Sequence, residues 1–402
     1  MTLAEDLQWR GFINQTTFQD ISAINEPRTF YFGVDPSADS MTIGNLASAM
    51  LVRHLVDHGF KAILLVGGAT GMIGDPDGKK QERDLRSEVT VKQNVAGLKR
   101  QLSQLFDGKS FEAVDNNDWF KGMQYIDFLH SVGKHVSMTQ LLDRDFVQNR
   151  IGEGGSGISY GEFSYALIQA YDFLHLYREK SVTLQVAGAD QWASSVLGAS
   201  LIRKLAQGEA HVLTAPLTIN KQTGVKFGKS EGGAVWLGAE KTSPYTFYQF
   251  WLNVDDETAE DLIKIYTLLP RQEIESRISQ HQENPQERVL QKTLAYEVTS
   301  LVHGETRAKT VREASRLLFS KEDFTLTPEA YSELADELPV QSLGVTVLEA
   351  LLNANVVKSN GEAKRLLQNG GIAANGRKVE QDYAITEPTL LRKGKNTFVL
   401  VG

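Results

Sequence analysis

The most constraining feature of this chain is a strand, a helix and a second strand packed between residues 29 and 66. After Pro27, Thr29-Phe-Tyr-Phe-Gly-Val34 is rich in aromatic and β-branched residues, which fit a pleated surface. Residues 45–58 carry their apolar side chains with the period of an amphipathic helix. Lys61-Ala-Ile-Leu-Leu-Val66 is then a short, almost unbroken apolar run, which suits a strand covered on both faces. A βαβ crossover is right-handed and belongs to a parallel sheet. The expected fold class is therefore α/β with a Rossmann-like doubly wound sheet, and such sheets bind ligands beyond the carboxyl ends of their strands. The loops after Val34 and Val66 are the first places to look for chemistry.

The sheet pattern resumes with an expected strand at 182–186 and a helix at 191–205, while about 107–180 reads as a mostly helical insertion. Leu3, Leu7, Trp9, Phe12 and Ile13 are spaced as on a helix. A chain of 402 residues exceeds a single compact core. The expected division is a catalytic sheet domain over 1–215, a signature loop and helical domain over 216–320, a linker over 321–340 and a small α+β module over 341–402. Residues 321–340 mix acids, Thr and Pro with little apolar periodicity, which is the reason for reading them as a linker.

Charge separates these parts. Lys and Arg total 42 against 50 Asp and Glu, a net charge of −8, which excludes a chain that is basic throughout. Residues 341–402 hold eight basic and five acidic residues, so this segment is +3 and the remainder −11. The complete lack of cysteine excludes disulfides, thiolate zinc sites, Fe–S clusters and a thiol nucleophile. The start, MTLAEDLQWRGF, places Glu5 and Asp6 where a leader would be apolar, and no run approaches a membrane span. A soluble cytoplasmic protein that does not engage membranes is expected.

Several constellations remain as candidate chemistry. Gly152-Glu-Gly-Gly-Ser-Gly157 has dinucleotide-loop spacing but follows a helical segment, so a mobile loop is the better reading. The run from Gly67 to Lys80 follows a true strand yet lacks P-loop spacing; it leaves a tight glycine turn carrying Asp75 and Asp77, followed by Lys79, Lys80 and Arg83. Asp35-Pro-Ser-Ala-Asp-Ser-Met-Thr-Ile-Gly-Asn45 runs from a strand end into a helix start, where hydroxyls, backbone N–H groups and the helix dipole favour an anion. Lys226-Phe-Gly-Lys229-Ser230 is a basic turn flanked by glycines. Tyr165, Gln169 and Asp172 share one face of a helix whose stripe also holds Ile168 and Phe173, and polar groups on an apolar face need partners.

The Thr42-Ile-Gly-Asn45 and Lys226-Phe-Gly-Lys-Ser230 segments resemble the two signatures of class I aminoacyl-tRNA synthetases. With Val66-Gly-Gly-Ala-Thr-Gly-Met-Ile-Gly-Asp-Pro76, Gly188-Ala-Asp-Gln-Trp192 and Gly232-Gly-Ala-Val-Trp-Leu237, the order of motifs is similar to bacterial-type tyrosyl-tRNA synthetases over nearly the whole chain. The resemblance implies that Tyr31 and Asp172 take a tyrosine phenol, that Asp75, Tyr165 and Gln169 take its ammonium group, and that Gln185 and Gln191 flank it. It implies that Asp35, Ser37, Gly44, Asn45, Ser48 and Asp190 hold ATP, that Lys226 and Lys229 close over its phosphates, and that Lys79 and Arg83 assist the transition state. Mg²⁺ would travel with the ATP and need no all-protein cage. The expected reaction is tyrosine activation to an adenylate, then transfer to tRNA(Tyr), with positioning and charge neutralisation in place of a general base. Rejection of phenylalanine by such a site reaches about 10⁵, a general figure for which this enzyme class is itself the standard example. No editing domain is expected, and the insertion carries the family's dimer contact.

Thr42 stands where the first signature normally has His, and Asn45 where it normally ends in His. Both are kept as catalytic candidates, with Ser37 and the lysines expected to take over the γ-phosphate contact. His54 and His58, like His130 and His135, lack an obvious acidic third ligand, so no metal site is expected. Residues 359–379 resemble an S4 RNA-binding module; Lys364, Arg365, Arg377, Lys378, Arg392, Lys393 and Lys395 are its candidate tRNA contacts.

Overall fold

The computed structural model describes residues 1–76, 86–142, 145–152, 154–219, 227, 229–230, 233–320 and 322–402. The chain divides into two compact units, one of Met1–Gly238 with Glu257–Glu283, the other of Ala239–Asp256 with Asn284–Gly402.

The first unit is a six-stranded sheet. Its strands are β1 (Gln15–Thr16), β2 (Thr29–Val34), β3 (Lys61–Val66), β4 (Phe111–Asp115), β5 (Leu184–Gly188) and β6 (His211–Ala215), in the order β1-β6-β5-β2-β3-β4. All neighbours are parallel except the edge pair β1 and β6. This is the Rossmann-like α/β arrangement the βαβ pattern calls for. β3 is buried from Ala62 to Val66, which explains its unbroken apolar run. The helix Ile43–Asp57 joins β2 to β3 and buries Leu46, Met50 and Leu51, among others. Strand order runs outward from β2 through β3 to β4 on one side, and through β5 to β6 on the other. The switch point therefore lies between β2 and β5, where Tyr31 is in register with Gln185.

The expected helical insertion is corrected at its start. Phe111–Asp115 is an edge strand of the sheet, parallel to β3, and the helices begin only at Asn117. Its half-exposed residues lack an alternating pattern, so periodicity does not reveal it. Gly152 follows the helix Asp145–Ile151, not a strand. His54 is buried against Asp6, at 3.7 Å, and burial lowers its pKa to about 4. Arg10 bonds Asp6 at 3.0 Å and reaches the carbonyls of Lys264, Thr267 and Leu269 at 2.9, 3.2 and 2.7 Å. This buried cation caps the carbonyl end of the helix Asp256–Tyr266.

In the second unit the helices Pro244–Leu252, Val289–His303 and Glu305–Phe319 precede a mixed sheet of five strands. The stretch expected to be a linker is structured. Leu326, Ala330 and Leu334, the last two on the helix Pro328–Ala335, share one apolar cluster with Leu317, Leu390 and Leu400, and Val340–Gln341 pairs with Thr397–Val401. The helical region and the C-terminal sheet thus share a core. Asn375 and Gly376, at φ +46° and +86°, form the two-residue turn between Ile372–Ala374 and Arg377–Lys378.

Candidate active site

Beyond the carboxyl ends of β2 and β5 the first unit encloses a cavity of about 490 Å³. Every expected tyrosine-side residue lines it, as do Asp35, Ser37, Thr42, Gly44, Asn45, Ser48 and Asp190. Lys79, Arg83 and Lys226 lie outside the described residues, and Lys229 is described only as the start of the short strand Lys229–Ser230.

The floor is buried and polar. Tyr31, on β2, is 2% exposed, packs its ring on Phe173 at 5.3 Å, and keeps a hydroxyl without a hydrogen-bond partner. Its pKa is raised by burial and by the Asp172 charge. Gln169 and Gln185 each keep a buried Oε1 that is likewise unpartnered. Asp172 is 2% exposed, on the inward face of the helix Tyr160–Lys180. Burial lifts its pKa from the ordinary 3.8 to about 8, against the pull of hydrogen bonds from Asn116 and Trp119. Asn116 Nδ2 donates to Oδ2 at 3.1 Å and Trp119 Nε1 to Oδ1 at 2.9 Å.

Asn116 and Trp119 are the partners that sequence reasoning missed. They follow the unrecognised edge strand β4, so nothing placed them beside the helix carrying Asp172. The same strand end anchors the glycine turn: Gly68 N–H donates to Asp115 Oδ1 at 3.1 Å and Ala69 N–H to Asn116 Oδ1 at 2.7 Å. A Cβ on Gly68 would collide with the Asp115 carboxylate, which is why the turn needs glycine there. Nearby, Gln191 Nε2 donates to Asp75 Oδ2 at 2.8 Å. The Tyr165 pKa is raised by burial first, then by Asp35 and Asp75. Acids thus gather on one side of the cavity, as a site for an ammonium group requires.

At the rim, Thr42 caps the helix Ile43–Asp57, and Asn45 reaches back so that its Oδ1 accepts from Thr42 N–H at 2.9 Å and from the Thr42 hydroxyl at 3.0 Å. The Nδ2 amide is what Asn45 can still offer a ligand. Backbone bonds tie this segment to the one after the second signature: Ile43 N–H donates to Val235 O at 3.1 Å and Leu237 N–H to Met41 O at 2.8 Å.

Of the expected RNA contacts, Lys364, Arg365, Lys378 and Lys395 are exposed. Three others have partners within their own unit. Arg377 pairs with Asp323, Arg392 donates to Ser320 O at 2.8 Å, and Lys393 reaches Val356 O at 2.6 Å and Glu362 at 3.1 Å.

A largely parallel sheet with a switch-point cavity, and a first-signature segment bonded at its rim to the segment that follows the second, is the arrangement expected of a class I aminoacyl-tRNA synthetase. The profile of class I tRNA synthetases (W and Y) matches residues 23–320. The chain is 42% identical to the tyrosine–tRNA ligase of Bacteroides thetaiotaomicron, over all of both chains. It is also 42% identical to that of Geobacillus stearothermophilus, over all of this chain and 99% of the other. A truncated mitochondrial tyrosyl-tRNA synthetase of Aspergillus nidulans superposes with a TM-score of 0.71 at 28% identity, covering 79% of this chain and 94% of that one. The chain belongs to the tyrosine–tRNA ligases.

Proposed function

We propose that the cavity is where tyrosine and ATP meet, and that the chain joins tyrosine to tRNA(Tyr) through an adenylate. The observation that carries this reading is the floor. An unpartnered tyrosine hydroxyl and two amide oxygens are buried around an aspartate whose oxygens are fixed by Asn116 and Trp119. A substrate phenol supplies a donor and an acceptor there, and phenylalanine supplies neither. Asp75, Tyr165 and Gln169 would take the ammonium group, with Gln191 holding Asp75. Asp35, Ser37, Gly44, Asn45, Ser48 and Asp190 would hold the nucleotide.

In the first step a tyrosine carboxylate oxygen bonds to the α-phosphorus, and the bond to the bridging oxygen breaks to release pyrophosphate. In the second, a ribose hydroxyl of the tRNA terminus attacks the acyl carbon and AMP leaves. Orientation and charge neutralisation by Lys79, Arg83, Lys226 and Lys229 supply the acceleration, and Mg²⁺ enters as part of the ATP substrate. Tyrosine-, phenylalanine- and tryptophan-dependent pyrophosphate exchange tests the reading. Exchange with tyrosine alone is expected; exchange with tryptophan would move the chain to the sister branch.

The 341–402 segment is read as an S4 module that holds the tRNA backbone. Deleting it would remove Leu390 and Leu400 from a shared core, so point variants are the cleaner test. Replacing Lys364, Arg365 and Lys378 together by Ala should weaken tRNA charging, flatten its salt dependence by about one unit of slope per lost phosphate contact, and spare exchange. The insertion exposes Tyr125, Ile126, Met138 and Tyr160 by 57–70%, with the two tyrosine hydroxyls 3.2 Å apart. A second copy of this chain is the proposed cover, to be measured by sedimentation. Among the described residues no helix is long and apolar enough to cross a membrane. A cytoplasmic location belongs to the same reading, because charged tRNA is consumed where translation runs.

A further inference from the structure

Tyr266 lies at the end of the helix Asp256–Tyr266, fully buried within the first unit, on a segment that none of the sequence motifs covers. Its hydroxyl donates to the carbonyl of Ile43 at 3.2 Å, inside the first signature. The same oxygen is 3.4 Å from the Thr218 hydroxyl. A carbonyl can only accept, so Ile43 O and Thr218 Oγ1 both lie within reach of the one phenolic proton. Thr218 O accepts from Phe227 N–H at 2.8 Å, which continues the chain of bonds into the second signature. The Phe227 ring, 8% exposed, packs on the Tyr266 ring with centroids 6.2 Å apart. A Cβ on Gly44 would come within 3.9 Å of Phe227 O, so the two signatures approach each other closely beside this tyrosine. The Arg10 guanidinium holds the carbonyls of Lys264, Thr267 and Leu269 on both sides of Tyr266.

We propose that Tyr266 is a positioning residue for the activation step, setting through its hydroxyl and ring the separation between the two signature segments. It touches no reacting atom. Its effect reaches the chemistry through Ile43, at the start of the helix bearing Gly44 and Asn45, and through Thr218 and Phe227, the latter next to Lys226 in the sequence. The proposal rests on the reading that Lys226 and Lys229 act on the ATP phosphates. Small displacements of such groups cost rate out of proportion to binding, by up to about a hundredfold for an ångström.

The test uses the full chain with Tyr266→Phe, Thr218→Val and the double variant, measured by tyrosine-dependent pyrophosphate exchange and by equilibrium dialysis of tyrosine. Tyr266→Phe should lower kcat about tenfold and leave tyrosine affinity within about twofold, since the floor does not depend on it. Thr218→Val should act in the same direction, and the double variant should be no worse than Tyr266→Phe. A kcat within about twofold of the parent, a parallel loss of tyrosine affinity, or losses that multiply in the double variant would overturn the proposal. Thr218 is only half-buried, so its variant decides alone if Tyr266→Phe does not fold. Lys229→Ala separates the two layers: exchange surviving there sinks the reading of the lysines, whereas its loss beside a fully active Tyr266→Phe sinks only the role of Tyr266.

Discussion

At the floor of the cavity Tyr31, Gln169 and Gln185 keep buried polar atoms without partners, whereas at the rim Thr42 and Asn45 bond to each other. An unmet buried polar atom costs about 1–3 kcal/mol, so the floor is held in a state that a tyrosine relieves. The Thr42 hydroxyl and Asn45 Oδ1 satisfy each other, and on the proposed reading what this rim offers ATP is the Asn45 amide, backbone and the charges brought to it. On the proposed reading, selectivity for tyrosine over phenylalanine rests on Tyr31 and Asp172, which are in place before any ligand arrives. On the same reading, affinity for phosphates depends on groups supplied by several segments of the sequence. Changes at the floor should alter which substrate reacts; changes at the rim should alter how fast it reacts.

The largest expected effect is at Asp172. Above pH 8, where the folded carboxyl is ionised, Asp172→Asn replaces one acceptor oxygen by an amide donor facing either Asn116 or Trp119, and should reduce the preference for tyrosine over phenylalanine at least a hundredfold. The ratio of kcat/KM for the two amino acids in exchange is the measurement. The same variant carries a pH signature. Below pH 3.8 the carboxyl is protonated in both folded and unfolded chains; between 3.8 and about 8 the unfolded chain ionises it and the folded one does not. Rising pH through that window thus favours unfolding of the parent, and Asn does not titrate. The Tm of Asp172→Asn minus that of the parent should become more positive from pH 5 to pH 8. A difference that is flat or falls would show that Asp172 is ionised in the fold.

How much of this was legible follows from where each residue's partner sits in the chain. β2, β3 and the helix face of Tyr165, Gln169 and Asp172 announce themselves through local period, and the strand ends locate the cavity. The apolar residues of β4 do not alternate, so Asn116 and Trp119 had no visible address, although they hold the central carboxylate. The segment 321–340 reads as a linker because its apolar residues are few; their partners Leu390 and Leu400 are supplied by strands far along the chain. Arg392 and Lys393 are expected RNA contacts on charge alone, which does not reveal the carbonyl partners, Ser320 and Val356, that the structure gives them.

A middle-sized effect is expected at Asn116. Its Nδ2 donates to Asp172 and its Oδ1 accepts from Ala69 N–H, so it joins the floor to the glycine turn. Asn116→Ala removes a donor that pulls the Asp172 pKa down, raising it further, and frees the turn. The expected loss in kcat/KM for tyrosine is about ten- to a hundredfold, from one or two hydrogen bonds whose removal leaves buried polar groups unmet. If phenylalanine kcat/KM fell by the same factor, Asn116 would be acting on the turn and not through Asp172.

The smallest effect is expected at Thr42, despite its place in the first signature. Its hydroxyl is spent on Asn45 Oδ1, and the backbone bond from Thr42 N–H to the same oxygen survives truncation. Thr42→Ala should therefore cost no more than about 0.5–2 kcal/mol of stability, the range for losing a helix cap, seen as a small drop in Tm. Exchange should fall by less than about tenfold, against the hundredfold or more typical of removing a preorganised charged or donor group, which is the loss expected for Lys229→Ala on the proposed reading. Thr42→His is the sharper variant, because an imidazole can reach where a hydroxyl cannot. A rise in exchange rate with that change would show that the rim has a vacant contact to the phosphates. No change would mean that Ser37 and the lysines already supply it. A loss in Thr42→Ala as deep as in Lys229→Ala would remove the distinction between floor and rim, since the rim would then also depend on one side chain's contact with the substrate.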